Sequence, residues 1–184
     1  MKTLIINGSP RKNGDTVSMI NLFKDNFQGE VIIWDCCFRK ISHCVDCRYC
    51  WKNKGCRISD EWNELFDYII ESDNIVIASP VYFSQLTGMI LSTLSRLQCI
   101  YCAEHFQNIK IIPKKKKGGI ILAGGGDGSC QPAERTAKIL LHMMNCGEIY
   151  PAVKALNTNN VPAAEEKGVL EQLLKLQDFF IKSY

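Results

Sequence analysis

The sequence predicts an α/β protein built on a doubly wound sheet of five parallel strands, with helices on both faces of the sheet. Short apolar runs alternate along the chain with stretches whose apolar residues recur at helical spacing. Continuously apolar strands are typical of a parallel sheet covered on both faces, and right-handed crossovers make such a sheet doubly wound. A length of 184 residues, 46% of them hydrophobic, suits one compact domain with a sizeable core.

Each strand is predicted from an apolar run that ends in turn-forming residues. The first run ends at the Asn-Gly-Ser-Pro turn of residues 7–10, the third at Ser79 and Pro80, and the fourth at the glycines 124–126. The predicted strands cover residues 4–6, 31–34, 75–78, 119–123 and 149–156.

The helices are predicted from N-cap residues and apolar stripes. The first helix begins near Asp15 or Thr16, both of which are common N-cap types. Trp62, Leu65 and Ile69 lie at the spacing of one helical face and predict the second helix. The later helices are predicted from similar periodicity, and the helices after the first cover about 60–72, 86–102, 131–145 and 163–182. Residues 103–117, which include lysines 114–117, are expected to be the loosest stretch of the chain.

Charge and composition exclude several classes of protein. A net charge of +3 is too small to indicate a nucleic-acid or membrane surface. No apolar run reaches the roughly 18 residues of a membrane span, and the N-terminus has no signal-peptide pattern. We therefore expect a cytoplasmic protein, in which the ten cysteines are not a disulfide framework.

Ligands of doubly wound sheets bind beyond the carboxyl ends of the strands, so the loop at residues 8–16 is a candidate site. It offers the hydroxyls of Ser9 and Thr16, the amide of Asn13 and the guanidinium of Arg11 at a helix N-terminus, which favours a phosphate. The loop is neither a Walker A motif nor a dinucleotide fingerprint, so a monophosphate fits best. The alternative is a polar turn with a helix cap.

The loops after the third and fourth strands lie at the same edge of the predicted sheet. Tyr82 and Phe83 could lie against a planar ring system, or they could pack under the next helix. The glycines 124–126 would allow a ligand to approach the backbone closely, or they could form a flexible loop. Because all three loops are expected at one edge of the sheet, ligand contact is the better interpretation of the loops after the third and fourth strands.

Four cysteines follow a compact C-x2-C-x2-C-x5-C pattern, formed by Cys44, Cys47, Cys50 and Cys56. Such a set can surround a [4Fe–4S] cluster, although the last gap is longer than the gap in a ferredoxin. Zinc and unligated thiols are the alternatives. Four further cysteines are expected on helical faces as small core residues, namely Cys99, Cys102, Cys130 and Cys146.

In this order, residues 7–14, 78–83 and 123–126 resemble the NAD(P)H-dependent FMN reductases of flavodoxin-like fold. The cysteine segment resembles their iron–sulfur flavoprotein branch. The resemblance implies a single flavodoxin-like FMN-binding domain over residues 1–184, with strand order 2-1-3-4-5 and a cysteine-rich loop at 36–58. By that resemblance the FMN phosphate is held by Ser9, Arg11, Asn13 and Thr16, the ring is bordered by Pro80, Val81, Tyr82 and Phe83, and the ring and ribityl chain are bordered by Gly124, Gly125, Gly126 and Asp127.

The resemblance also implies an activity. Electrons would pass from NAD(P)H through bound FMN to an unknown acceptor, in a homodimer or homotetramer, with no side chain needed as an acid or base. One alternative is an electron carrier with FMN and a [4Fe–4S] cluster on Cys44, Cys47, Cys50 and Cys56. Another is a flavin-binding regulator whose cysteines sense oxidants.

Two features of the chain bear on partners. Leu91 and Ser95 stand where the family usually has a lysine and an aspartate, which puts the usual partner contacts of that helix in doubt. Lysines 114–117 are expected to lie in a solvated loop, with attraction of the NADPH 2′-phosphate as the functional alternative.

Overall fold

The strands form one parallel sheet in the order β2-β1-β3-β4-β5, and β6 also pairs with β4. The computed structural model describes residues 1–126 and 128–182. The strands are β1 (Lys2–Asn7), β2 (Glu30–Asp35), β3 (Asn74–Pro80), β4 (Lys116–Ala123), β5 (Cys146–Ile149) and β6 (Val153–Ala155). The helices are α1 (Asp15–Asn26), α2 (Trp62–Glu71), α3 (Gly88–Leu94), α4 (Gln98–Gln107), α5 (Gln131–Met143) and α6 (Val169–Ile181). This order confirms the predicted flavodoxin-like fold.

Helices cover both faces of the sheet, which gives three layers. Successive side chains of a strand point to opposite faces. Leu4 and Ile6 of β1 therefore pack with α2, α3, α4 and α5, whereas Ile5 packs with α1 and α6. Among the described residues, no helix is both long and apolar enough to cross a membrane.

The last predicted strand is interrupted. The structure has two short strands, β5 and β6, and both pair with β4. Pro151 lies between them and has no N–H to donate to the sheet, so the ladder breaks there. The edge strand also begins at Cys146, three residues before the predicted start at 149. Cys146 consequently lies on a strand, and its expected position on a helical face was wrong.

The predicted helix at 86–102 is two helices joined by a 3-10 turn over Ser95–Leu97. The second of them, α4, continues to Gln107 and ends where Asn108 adopts a left-handed conformation with φ of 55°. The expectation of a loose stretch over 103–117 was therefore wrong at both of its ends, which lie in α4 and β4.

Lys116 and Lys117 are buried in β4, so the expected solvated loop over lysines 114–117 was wrong for two of the four. The Lys116 ammonium donates hydrogen bonds to the carbonyl oxygens of Ile70 (2.9 Å) and Ser72 (2.5 Å) at the end of α2. The Lys117 ammonium donates to the carbonyl oxygen of Phe179 (2.8 Å) near the end of α6. Cations are favoured at helix C-termini, and both lysines lie at the amino ends of the strands, opposite the predicted ligand edge.

The described chain has three short 3-10 turns, two of them in the cysteine-rich segment. Two of them, Cys36–Phe38 and Tyr49–Trp51, are the regular structure within residues 36–58, and the third is Ser95–Leu97. The rest of that segment is irregular, as predicted. It packs against α4 through the turn at Tyr49–Trp51, which places the cysteines beside a helix of the core.

Candidate functional site

A crevice of about 180 Å3 opens at the carboxyl edge of the sheet, between the loops after β1, β3 and β4. The three loops predicted to meet at one edge therefore line one cavity. Its lining residues are Ser9, Pro10, Arg11, Gly14, Asp15, Thr16, Pro80, Val81, Tyr82, Ala123, Gly124, Gly125, Thr158 and Asn159.

The loop after β1 is shaped by its own polar side chains. The Ser9 N–H donates to Asn7 Oδ1 (2.9 Å), and the Ser9 hydroxyl donates to the Arg11 carbonyl oxygen (3.0 Å). The loop leads into α1 through Gly14, and within the described residues no side chain caps that helix start. Backbone N–H groups of an uncapped helix start, with Arg11 beside them, suit a phosphate.

The loop after β3 is a tight turn. Tyr82 and Gln85 exchange two backbone hydrogen bonds of 2.9 Å, and the two residues between them have positive φ angles, 51° at Phe83 and 62° at Ser84. This conformation is that of a type I′ turn. It turns Phe83 fully into solvent, while Val81 and Tyr82 remain at the crevice.

The loop after β4 contacts a segment that the sequence analysis missed. The Gly124 N–H donates to the Ala155 carbonyl oxygen (2.8 Å), and the Thr158 N–H donates to the Gly124 carbonyl oxygen (3.2 Å). A Cβ atom on Gly125 would overlap the side chain of Asn159. Thr158 and Asn159 thus join the crevice. They follow β6, and the rule that ligands bind beyond the carboxyl ends of strands could have found them.

Not every residue predicted for this site lines the crevice. Asn13 and Gly126 are exposed beside it, and Phe83 points away into solvent. Asp127 lies outside the described residues. Conversely, Asp15 lines the crevice, but its carboxylate accepts a hydrogen bond from the Ala163 N–H (2.9 Å). The assignment of individual residues to FMN stays a prediction.

The four cysteines of the compact motif line a second cavity, of about 50 Å3, beside α4. Two hydrogen bonds fix their loop: the Cys44 N–H donates to Ser95 Oγ (2.9 Å), and Gln107 Nε2 donates to the Cys50 carbonyl oxygen (2.8 Å). Ser95, which stands where the family usually has an aspartate, therefore anchors the cysteine loop.

Cys99 and Cys102 of α4 are buried, as predicted, but they also line this cavity. After burial, the neighbouring Cys102 thiol is the next largest cause of the raised pKa of Cys50. Burial raises the pKa of Cys50 and that of Cys99 to about 12. Thiolates at these positions would therefore need a positive partner, such as a metal centre. The spacing of the four motif cysteines gave no signal that two helical cysteines would join them.

Zinc and an iron–sulfur cluster make different demands on the positions of the sulfur ligands. Across residues 1–126 and 128–182, no three His, Cys, Asp or Glu side chains are arranged to hold a single metal ion. A zinc ion needs its sulfur ligands about 2.3 Å from one point. An iron–sulfur cubane binds each thiolate to a different iron, so its ligands are spread more widely.

Comparison with known proteins gives a consistent picture. The model of the NADPH-dependent FMN reductase family matches residues 1–158. An iron-sulfur flavoprotein of Methanocaldococcus jannaschii is 31% identical over 131 residues, which are 69% of this chain and 63% of that protein. An iron-sulfur flavoprotein of Archaeoglobus fulgidus is 34% identical over 90 residues, which are 48% of this chain and 43% of that protein. Both matches span less than two thirds of the relative's own length.

Solved structures share the fold. An FMN-dependent NADH-azoreductase from Bacillus anthracis, in complex with FMN, superposes with a TM-score of 0.71, at 12% identity, over 99% of this chain and 100% of that chain. At such low identity the likeness shows the flavodoxin-like fold alone.

Proposed function

Because this chain belongs to the NADPH-dependent FMN reductase family, we propose that it is an oxidoreductase that passes electrons from NAD(P)H through bound FMN to an acceptor. One observation carries the proposal: the loops after β1, β3 and β4 line a single crevice of about 180 Å3 at the carboxyl edge of the sheet. That edge is where doubly wound sheets bind their ligands.

The lining residues suit the two ends of FMN. The uncapped start of α1 and the Arg11 guanidinium would hold the phosphate, with Ser9 and Thr16 beside them. Val81 and Tyr82 would border the ring, and Gly124 and Gly125 would let it approach the backbone. Bound FMN supplies the redox chemistry, accepting two electrons from NAD(P)H and passing them on.

The proposed electron transfer requires no side-chain acid or base from the described lining of the crevice. Its carboxylate, Asp15, is already bonded to the Ala163 N–H. The chain's contribution is to bind the cofactor, orient it and shape the access of the nicotinamide to it. This is the role that the sequence analysis expects.

The test is anaerobic stopped-flow mixing of the FMN-loaded protein with NADH or NADPH. The flavin absorbance should bleach with at least one of the two, at a rate that depends on nucleotide concentration. A flavin that binds but never bleaches would exclude the reductase and leave an FMN-binding protein.

A matched pair of variants tests the phosphate end of the site. Arg11→Met should weaken FMN binding about tenfold, or about 1.4 kcal/mol, because a charged donor to the phosphate is lost. Lys12→Met is the control, since Lys12 is an exposed neighbour that lies over the Phe38 ring and does not line the crevice. Equal FMN affinities for the two variants would argue against this placement of the phosphate.

A second candidate function is favoured by the cysteine cavity. We propose that Cys44, Cys47, Cys50 and Cys56 hold a [4Fe–4S] cluster, which would make the protein an electron carrier with two redox groups. Soft thiol ligands crowd one small cavity, held in place by Ser95 and Gln107. The relatives named iron-sulfur flavoproteins support this candidate.

Iron and acid-labile sulfide are measured after anaerobic purification or reconstitution. We expect about four of each per chain, and their loss in Cys50→Ala. Cys130→Ala is the control, because Cys130 is buried outside the cysteine cavity. Background iron in the wild-type protein would exclude the cluster and leave the reductase proposal intact.

We propose that the protein acts as a homodimer or homotetramer in the cytoplasm. Exposed apolar side chains of α3, α4 and α5, among them Leu91, Tyr101 and Ile139, line a groove of about 310 Å3. All ten cysteines are free thiols, which suits a reducing compartment. Light scattering should give a mass of two or four chains, and Ile139→Glu should reduce it to one; a monomeric wild-type protein would contradict the proposal.

A further inference from the structure

Arg96 is a buried cation beside the cysteine cavity. Its side chain is fully shielded from solvent, and the residue lines the cavity together with Cys56 and Cys99. Its planar group lies over the Trp62 ring, 5.4 Å from the ring centre. An arginine placed in this way cannot be deprotonated, so its charge has to be balanced by its surroundings.

The two terminal nitrogens of Arg96 donate hydrogen bonds to residues on either side of the motif cysteines. Nη1 donates to the Ser42 carbonyl oxygen (3.0 Å) and to Asp60 Oδ2 (3.2 Å), and Nη2 donates to the Ile58 carbonyl oxygen (2.8 Å). Residues 42 and 58 lie on either side of the four motif cysteines. Arg96 therefore holds both ends of their loop.

The third nitrogen of Arg96, Nε, is buried and has no acceptor in the part of the chain that the structure describes. Trp34 Nε1 shares this property, but Trp34 does not line the cysteine cavity. Leaving a buried donor unpaired costs about 1–3 kcal/mol, and more for a charged group. Arg96 lines the cysteine cavity, so a ligand there with an acceptor would satisfy this donor.

The chemistry of the cavity restricts that acceptor. Six cysteines line the cavity, and the charge of Arg96 acts on the thiol of one of them, Cys99. A neutral thiol is only a weak acceptor, whereas thiolate and sulfide sulfurs of an iron–sulfur cluster carry negative charge. Asp60 balances the arginine charge, so it is the unpaired Nε donor that an acceptor in the cavity would satisfy.

We propose that the Arg96 Nε–H donates a hydrogen bond to a sulfur of an anionic iron–sulfur cluster in the cysteine cavity and raises the reduction potential of that cluster. The inference rests on the proposed cluster and adds a positioning residue outside the four ligands. Reduction adds one electron to the cluster and breaks no bond. Because the added charge is negative, a fixed cation and a hydrogen bond to sulfur stabilise the reduced form more than the oxidised form.

The direct test uses the intact protein, reconstituted with its cluster and grown with arginine that carries 15N at Nε only. The cluster is reduced with dithionite, and pulsed electron paramagnetic resonance (HYSCORE) measures nitrogen couplings to the electron spin. We expect a 15N coupling from one arginine. The coupling should disappear in Arg96→Lys and persist in Arg57→Lys, since Arg57 also lines the cavity but is exposed.

Potentiometric titration gives a second readout. Arg96→Lys keeps a positive charge but removes the Nε donor, and we expect at least a tenfold shift of the reduction equilibrium against the reduced cluster, which is about 59 mV for one electron. Arg57→Lys should leave the potential in place. If Arg96→Lys fails to fold, persistence of the coupling in both Arg48→Lys and Arg57→Lys assigns it to Arg96, the remaining arginine of the cavity lining.

The outcomes separate the two proposals. A wild-type protein that binds no iron overturns the cluster and this inference with it. A loaded wild-type protein without any arginine 15N coupling overturns this inference and leaves the cluster standing. An Arg96→Lys protein that retains both the 15N coupling and the wild-type reduction potential would also overturn this inference and leave the cluster standing.

Discussion

The Thr87 hydroxyl donates a hydrogen bond of 3.0 Å to the carbonyl oxygen of Gly8. Both residues are buried, and Thr87 immediately precedes α3. The Thr87 N–H donates a hydrogen bond to the Ser79 hydroxyl oxygen (3.1 Å). One residue thus joins the loop after β1 to the loop after β3, and so couples the predicted phosphate and ring ends of the crevice.

Gly8→Ala should break this junction. A Cβ atom on Gly8 would lie 2.5 Å from Thr87 Oγ1 and would overlap the Ile90 side chain. We expect a loss of about 1–3 kcal/mol in the free energy of unfolding and weaker FMN binding. Gly88→Ala is the control, because nothing lies within 4 Å of its added methyl group. The substitution lowers the conformational entropy of the unfolded chain, so it should be neutral or slightly stabilising. Urea denaturation of both variants tests this, and equal stabilities would contradict it.

Gly125→Ala should damage the crevice without unfolding the protein. Its methyl group would displace the Asn159 side chain and would lie 3.0 Å from the Asn159 backbone nitrogen. We expect at least a tenfold rise in the Kd for FMN, about 1.4 kcal/mol, measured by quenching of flavin fluorescence. Gly147→Ala, whose methyl group would meet nothing within 4 Å, should bind FMN like the wild type. An unchanged Kd for Gly125→Ala would remove Asn159 and its loop from the site.

Phe83 occupies a strained position at the tip of the turn after β3. Its φ of 51° is unfavourable for a bulky L-residue, and its side chain is fully exposed. Phe83→Asn should therefore stabilise the protein by about 1 kcal/mol, because asparagine tolerates the left-handed conformation. Phe83→Ala removes the same ring but keeps the strain, so it should gain nothing. Thermal unfolding of the pair measures the difference, and equal midpoints would show that the strain is absent.

Lys116 predicts a pH dependence of stability. Burial lowers its pKa from the ordinary 10.5 to about 8. Below pH 8 both the folded and the unfolded chain carry this proton, and between about pH 8 and 10.5 the unfolded chain binds it more tightly. Stability from this group should therefore rise with pH across that window, by at most about 1.4 kcal/mol per unit.

The measurement for Lys116 is the difference in free energy of unfolding between the wild type and Lys116→Met, followed from pH 7 upward. Taking the difference cancels the other titrating groups. The wild type should gain relative to the variant above about pH 8. A difference that stays flat, or that moves in favour of the variant, would contradict the lowered pKa.

The parallel sheet and the edge that holds the candidate FMN site could be predicted, because both follow from local sequence patterns. Runs such as 4–6 and 75–78 are apolar throughout, and parallel strands place their following loops on one edge. The positions of Lys116 and Lys117 could not be predicted in this way. A run of lysines is typical of a solvated loop. The carbonyl oxygens that accept hydrogen bonds from Lys116 and Lys117 lie at the ends of α2 and α6, and only the tertiary structure brings them there.

Four site residues were missed in the sequence analysis for one reason: they are far along the chain from the motifs that they join. Thr158 and Asn159 reach the crevice because β6 ends beside β4, after an interruption at Pro151. Cys99 and Cys102 reach the cysteine cavity because the loop turns back over α4. Spacing rules describe ligands that are close in sequence, and they do not register side chains that packing brings to the same place.

The most direct test of the central claim is a crystal structure of the protein with FMN. The account predicts the phosphate at the start of α1 beside Arg11, and the ring between Tyr82 and the backbone at Gly124 and Gly125. FMN bound at any other place, or a crevice without FMN density at saturating concentration, would contradict it.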